Sequence, residues 1–115
     1  MKRGDVYWAE LKPRSGSEQQ SMRPVIVVSH DAFNQAPSWR SVIVVPVSTS
    51  KAQAKRGPTA LHLPKGPAGL KQDSVALCHQ VTTLDRSKLI KQIGALSPQL
   101  LQQLEIALKA ALDLS

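Results

Sequence analysis

The chain has 115 residues, 42% hydrophobic and only 3% aromatic, and its fifteen Lys and Arg against eight Asp and Glu give a formal charge of +7. At this length folding buries roughly two thirds of the surface of the unfolded chain, enough for one modest core, so a single domain over residues 1–115 is expected. A lone cysteine, Cys78, excludes an intramolecular disulfide, the absence of any apolar run near ~20 residues excludes a spanning helix, and so few aromatics argue against a platform that stacks many bases.

Along the chain, Asp5 to Leu11 partly alternates and is rich in β-formers. Pro24 to Ser29 and Ser41 to Val47 are short continuous apolar runs of the kind that strands buried on both faces show. Between them, His30 to Pro37 has room for one helical turn. Ala60 to Leu63 and Ser74 to Val81 are two further strands, separated by the turn-rich Pro64 to Gly69. A turn at Asp85 to Lys88 then precedes Leu89 to Ile93, which closes a sheet of about five strands. The carboxyl end is an amphipathic helix: Ser97 fits the N-cap, Pro98 the first helical position, and Leu100, Leu101, Leu104, Ala107, Leu108, Ala111 and Leu112 recur at i, i+3, i+4. Short strands with few tight hairpins and a terminal helix predict a mostly-β fold, a small SH3-like antiparallel β-barrel.

The start, Met1-Lys2-Arg3-Gly4-Asp5, leads into no signal-peptide apolar segment, so a soluble cytoplasmic protein without membrane attachment is expected. The basic excess is uneven, with nine basic and four acidic residues in 1–57 against six and four in 58–115. That asymmetry suits a polyanion or an acidic protein as partner, and equally serves solubility. Two polar loops, residues 12–21 and 51–58, carry Lys12, Arg14, Lys51, Lys55 and Arg56, and loops on a rigid scaffold commonly bear binding chemistry.

A metal centre is not expected: Cys78 and His79 are the only adjacent pair of ligand types, and neighbours on a strand point to opposite faces. No HExxH, CxxC, Walker or GxGxxG pattern occurs, nor a serine-hydrolase elbow, and the three histidines are read as packed or edge residues. The residues left are Glu18, Gln19 and Arg23, then Ser48-Thr49-Ser50, then Gln72-Asp73-Ser74. Each alone is ordinary turn chemistry. If the strands at 24–29 and 41–47 pair antiparallel, however, the start of one lies beside the end of the other, and Arg23 and Ser48 share one rim.

The blocks "RGDVYWAEL", "GSEQ" with "RPVIVVSHDAFN", "VVPVST", "QDSVALCHQVTTLDRSKL" and "IGALS" before an amphipathic helix resemble, in order and over nearly the whole chain, the MazF/PemK/Kid toxins of bacterial toxin–antitoxin systems. The resemblance implies a CcdB/PemK/MazF-type fold, a homodimer, a sequence-selective endoribonuclease that cleaves single-stranded RNA with no cofactor or metal, and a MazE-like antitoxin. By position, Arg23 matches the catalytic arginine and Ser48 the catalytic threonine, with Thr49 a rival hydroxyl; Glu18 is either a base or a structural partner of Arg23, the structural role placed first. Gln19 matches the loop before the arginine, where Gln20-Ser21-Met22 replace the family's frequent glycines. Gln72, Asp73 and Gln80 are candidate RNA contacts, although His79 replaces the acid that usually precedes Gln80. Lys12, Arg14, Lys51, Lys55 and Arg56 are candidate contacts to flanking phosphates. Two other readings stand beside this one. A CcdB-like gyrase poison resembles a barrel ending in Trp-Gly-Ile, whereas this chain ends Ala111-Leu112-Asp113-Leu114-Ser115; a non-enzymatic SH3-like module would grip an acidic peptide or nucleic acid through the same basic loops.

Overall fold

The computed structural model describes residues 1–11, 21–55 and 57–115, with the side chain of Ser21 excepted. Lys12, Arg14, Glu18, Gln19 and Arg56 therefore lie outside the described residues.

Among the described residues, seven strands and two helices follow in order: β1 Asp5–Leu11, β2 Ser21–Val27, α1 Asp31–Asn34, β3 Ser41–Ser48, β4 Ala60–Leu63, β5 Ser74–Leu77, β6 Thr82–Asp85, β7 Leu89–Ala95 and α2 Pro98–Leu112. All ladders are antiparallel, in the order β4-β5-β3-β2-β1-β7. β3 is long enough to serve two partners: Ser41 to Val44 pair with β6, while Val47 and Ser48 pair with β5. The expected strand Ser74 to Val81 is in fact shorter, because a 3₁₀ turn at Cys78–Gln80 breaks it from β6. Cys78 and His79 thus sit on a turn, not on a strand as expected.

The mostly-β antiparallel architecture with a terminal helix matches the sequence expectation, but hydrogen bonds do not close the ring into a barrel. On the side where closure would occur, the turn at residues 64–69 lays its backbone against β7. A Cβ on Gly69, whose φ is +80°, would fall 1.9 Å from the Ile93 carbonyl oxygen, and one on Gly94 would fall 2.2 Å from that of Ala68. Only glycine permits so close an approach.

Two apolar clusters explain the continuous runs in β2 and β3. Ile26, Val45 and Val47 pack with Val6, Leu63, Ala76, Leu104 and Ala107 beneath α2. Val25, Val42 and Val44 pack with Ala9 on the opposite face, where Tyr7, Leu84 and Leu89 cover them. Alternate residues of one strand therefore feed different clusters. Helix α2 starts as its sequence demands: the Ser97 hydroxyl accepts from the Leu100 amide at 3.2 Å and Pro98 follows.

Candidate active site

The β2–β3 ladder runs from Val27 opposite Val44 to Val25 opposite Pro46. Arg23 and Ser48 each lie two residues beyond the end of that ladder, where Ser48 pairs with Val75 of β5. Arg23 and Ser48 both line one cleft of about 600 Å³. Its walls come from β1 (Trp8), the start of β2 (Met22, Arg23, Pro24), the end of β3 (Val47, Ser48, Thr49), the segment Gly69 to Gln72 with Ser74, and β7 (Lys91, Ile93).

Three cations, Arg23, Lys71 and Lys91, stand in this lining, and among the described residues no carboxylate shares it. A concave, partly apolar wall focuses such like charge and draws in anions. The Ser48 hydroxyl accepts from the Ser50 amide at 3.0 Å, a local turn that fixes its oxygen and leaves its proton for donation to an anion. Thr49, its rival, is exposed at the rim of the same cleft.

Gln72 lines the cleft too, and its carbonyl accepts from the Ser74 hydroxyl at 2.8 Å. Asp73 works beside it: its carboxylate accepts from the Lys65 amide at 3.0 Å and ties down the approach to β5. Gln80 lies on the 3₁₀ turn and is not among the cleft residues; Lys51 and Lys55 are exposed on the segment leading to β4, also outside the cleft. Sequence reasoning missed Trp8, Met22, Lys71 and Lys91. One usable signal was Lys91 itself, a charge inside the apolar run Leu89 to Ile93.

Among the described residues, no three His, Cys, Asp or Glu side chains come together as metal ligands. Burial pushes the Cys78 thiol up to about 11, so it stays protonated and acts as a small core residue. His30 caps α1, its Nδ1 accepting from the Ala32 amide at 2.9 Å. No helix among the described residues is long and apolar enough to cross a membrane.

The model of the PemK-like, MazF-like toxins of type II toxin–antitoxin systems matches residues 2–112. The chain belongs to this family. Among its MazF-like relatives, Endoribonuclease MazF of Staphylococcus saprophyticus is 33% identical over 114 residues, 99% of this chain and 92% of that one. Endoribonuclease EndoA of Bacillus subtilis is 34% identical over 99% of this chain and 96% of its own. A solved mycobacterial endoribonuclease in complex with its cognate antitoxin superposes with a TM-score of 0.79 at 25% identity, covering 100% of this chain and 97% of that one. A MazE–MazF structure from Deinococcus radiodurans gives 0.77 at 27% identity with the same coverage. The MazF-like match decides the reading against the CcdB-like poison and the non-enzymatic module.

Proposed function

We propose that this chain, as one domain over residues 1–115, is the toxin of a type II toxin–antitoxin pair and a sequence-selective endoribonuclease of single-stranded RNA. It works in the cytoplasm as a homodimer and is restrained by a MazE-like antitoxin that occupies the RNA groove. The observation that carries the reading is the meeting of Arg23 with Ser48 and Thr49 in one cationic cleft, in a chain whose relatives are named endoribonucleases.

The substrate's own 2′-OH attacks the adjacent phosphorus, the bond to the 5′-oxygen breaks, and the products carry a 2′,3′-cyclic phosphate and a 5′-hydroxyl. That nucleophile exists in RNA and not in DNA. As it attacks, negative charge grows on the phosphoryl oxygens. The planar fork of Arg23 stabilises that charge bidentately, and the Ser48 or Thr49 hydroxyl orients the phosphate. A guanidinium is a poor base at neutral pH, so Arg23 is assigned to electrostatics. Glu18 serves as tether of Arg23 or as proton acceptor. Gln19, Gln72, Asp73 and Gln80 are assigned to RNA contacts, and Lys12, Arg14, Lys51, Lys55 and Arg56 to flanking phosphates.

Arg23→Ala tests the assignment. Cleavage should fall about a hundred- to a thousandfold, roughly 3–4 kcal/mol of transition-state stabilisation, while RNA binding is largely kept. Sequencing the 5′ ends of RNA cut by both proteins reads activity and site preference together. Unchanged cleavage by Arg23→Ala would remove the arginine from the mechanism.

A further inference from the structure

Trp8 pairs with Lys91 of β7 on one side and with Pro24 of β2 on the other, so three strands set these residues in one cross-strand row. All three line the cleft. Directly opposed residues share a face of an antiparallel sheet, which brings the indole and the lysine side by side. In the next row Ala9 pairs with Arg23; adjacent rows face opposite sides of a sheet, so it is the shared cleft lining, and not the ladder, that sets Arg23 near Trp8. The β1–β7 register shifts between Trp8 and Ala9, an irregularity that turns the strand locally.

Trp8 is 39% exposed and lines this concavity. It is the only one of the chain's four aromatics in the cleft lining: Phe33 and Trp39 stack on each other at 4.8 Å elsewhere, and Tyr7 covers the second apolar cluster. A large ring left partly wet beside a lysine offers what one nucleotide needs, an aromatic face for the base and an ammonium for its phosphate. An acidic peptide would use the cations but gain little from the indole.

We propose that Trp8 and Lys91 form a single-nucleotide subsite beside Arg23, in which the indole stacks one base next to the scissile phosphate and Lys91 holds that nucleotide's outer phosphate. This rests on the endoribonuclease reading above. Because every base has a π-face, the subsite supplies affinity and register along the strand and leaves base identity to other contacts.

The test uses the full chain and an RNA spanning its cleavage site, with a 2′-deoxy sugar at the cut nucleotide so that it is bound but not cleaved, together with copies that each lack one base. Trp8→Ala should weaken binding of the complete RNA by about 5- to 150-fold, the range of one lost base stack. Trp8→Phe should keep most of the affinity, and the Trp8→Ala effect should vanish on the copy lacking the stacked base. Lys91→Ala should lower the slope of log K against log salt by about 0.7. In a Trp39→Phe background, where Trp8 is the only indole, the complete RNA should quench its fluorescence and that one abasic copy should not. The subsite is overturned if Trp8→Ala binds as tightly as wild type, if it loses the same factor on every abasic copy, or if RNA leaves Trp8 emission unmoved. If the wild type cuts RNA and only these results fail, the subsite alone falls; if the wild type neither binds nor cuts RNA, the endoribonuclease reading falls with it.

Discussion

Arg86 holds the far end of the sheet together through main-chain acceptors. Its guanidinium donates to the carbonyls of Asn34 at 2.9 Å, Phe33 at 3.0 Å, Ala36 at 3.2 Å and Trp39 at 2.9 Å. Helix α1 has four residues, too few to satisfy its own carbonyls, and a planar fork of five donors supplies what is missing. Arg86→Ala should cost on the order of 2–3 kcal/mol, read as a lower urea midpoint, and Arg86→Lys should not restore it, because a point charge cannot span four acceptors. Nothing in the spacing of "LDRSKL" reveals this role, since the partners lie about fifty residues back. Asp85, its neighbour, is legible as a turn cap: it accepts from the Ser87 amide at 2.9 Å and pairs with Arg40 at 3.1 Å. The Ser87 hydroxyl, the Ser87 amide and Arg40 together pull its carboxyl down from 3.8 to about 2. In the unfolded chain this group takes its proton first as acid is added, so its stabilising contribution is complete above pH ~4 and is lost as pH falls toward 2. Asp85→Ala should flatten that part of the stability profile; an unchanged acid limb would show that the cap contributes nothing.

Among the elements, those that bury both faces were the easiest to read. The run at 41–47 and the i, i+3, i+4 spacing of the last helix appear where expected, and the run at 24–29 overlaps β2, which begins and ends earlier, because continuous burial and amphipathic periodicity leave direct marks on sequence. β6 was missed: Thr82–Asp85 reads as a continuation of "SVALCHQV", and only the 3₁₀ turn at Cys78–Gln80 sends it back to the other half of β3. The open ring was also hidden, because it depends on two glycines 25 positions apart meeting backbone to backbone. Gly94→Ala puts a methyl 2.2 Å from the Ala68 carbonyl oxygen, which must drive the 64–69 turn outward and carry Leu70 to Gln72 with it. The expected outcome is a loss of about 1–3 kcal/mol with a larger fall in RNA cleavage than that destabilisation alone produces. Full activity at temperatures where Gly94→Ala stays folded would show that this wall of the cleft is not needed.

At the scale of the molecule, the cleft gathers what the chain spreads over some eighty positions. Arg23 and Ser48 were foreseeable from antiparallel logic, since β2 and β3 are consecutive strands and the start of one must lie near the end of the other. Trp8, Lys71 and Lys91 were not, because their place depends on β1 lying between β2 and β7 and on the 64–69 turn docking on β7. The cleft brings a guanidinium and a hydroxyl into one lining. The measurement that bears most directly on that arrangement is the end chemistry of single-stranded RNA incubated with the purified protein in excess EDTA. Undiminished cleavage giving 2′,3′-cyclic phosphate and 5′-hydroxyl ends is the expected result; cleavage abolished by EDTA, or products with 3′-hydroxyl ends, would contradict it.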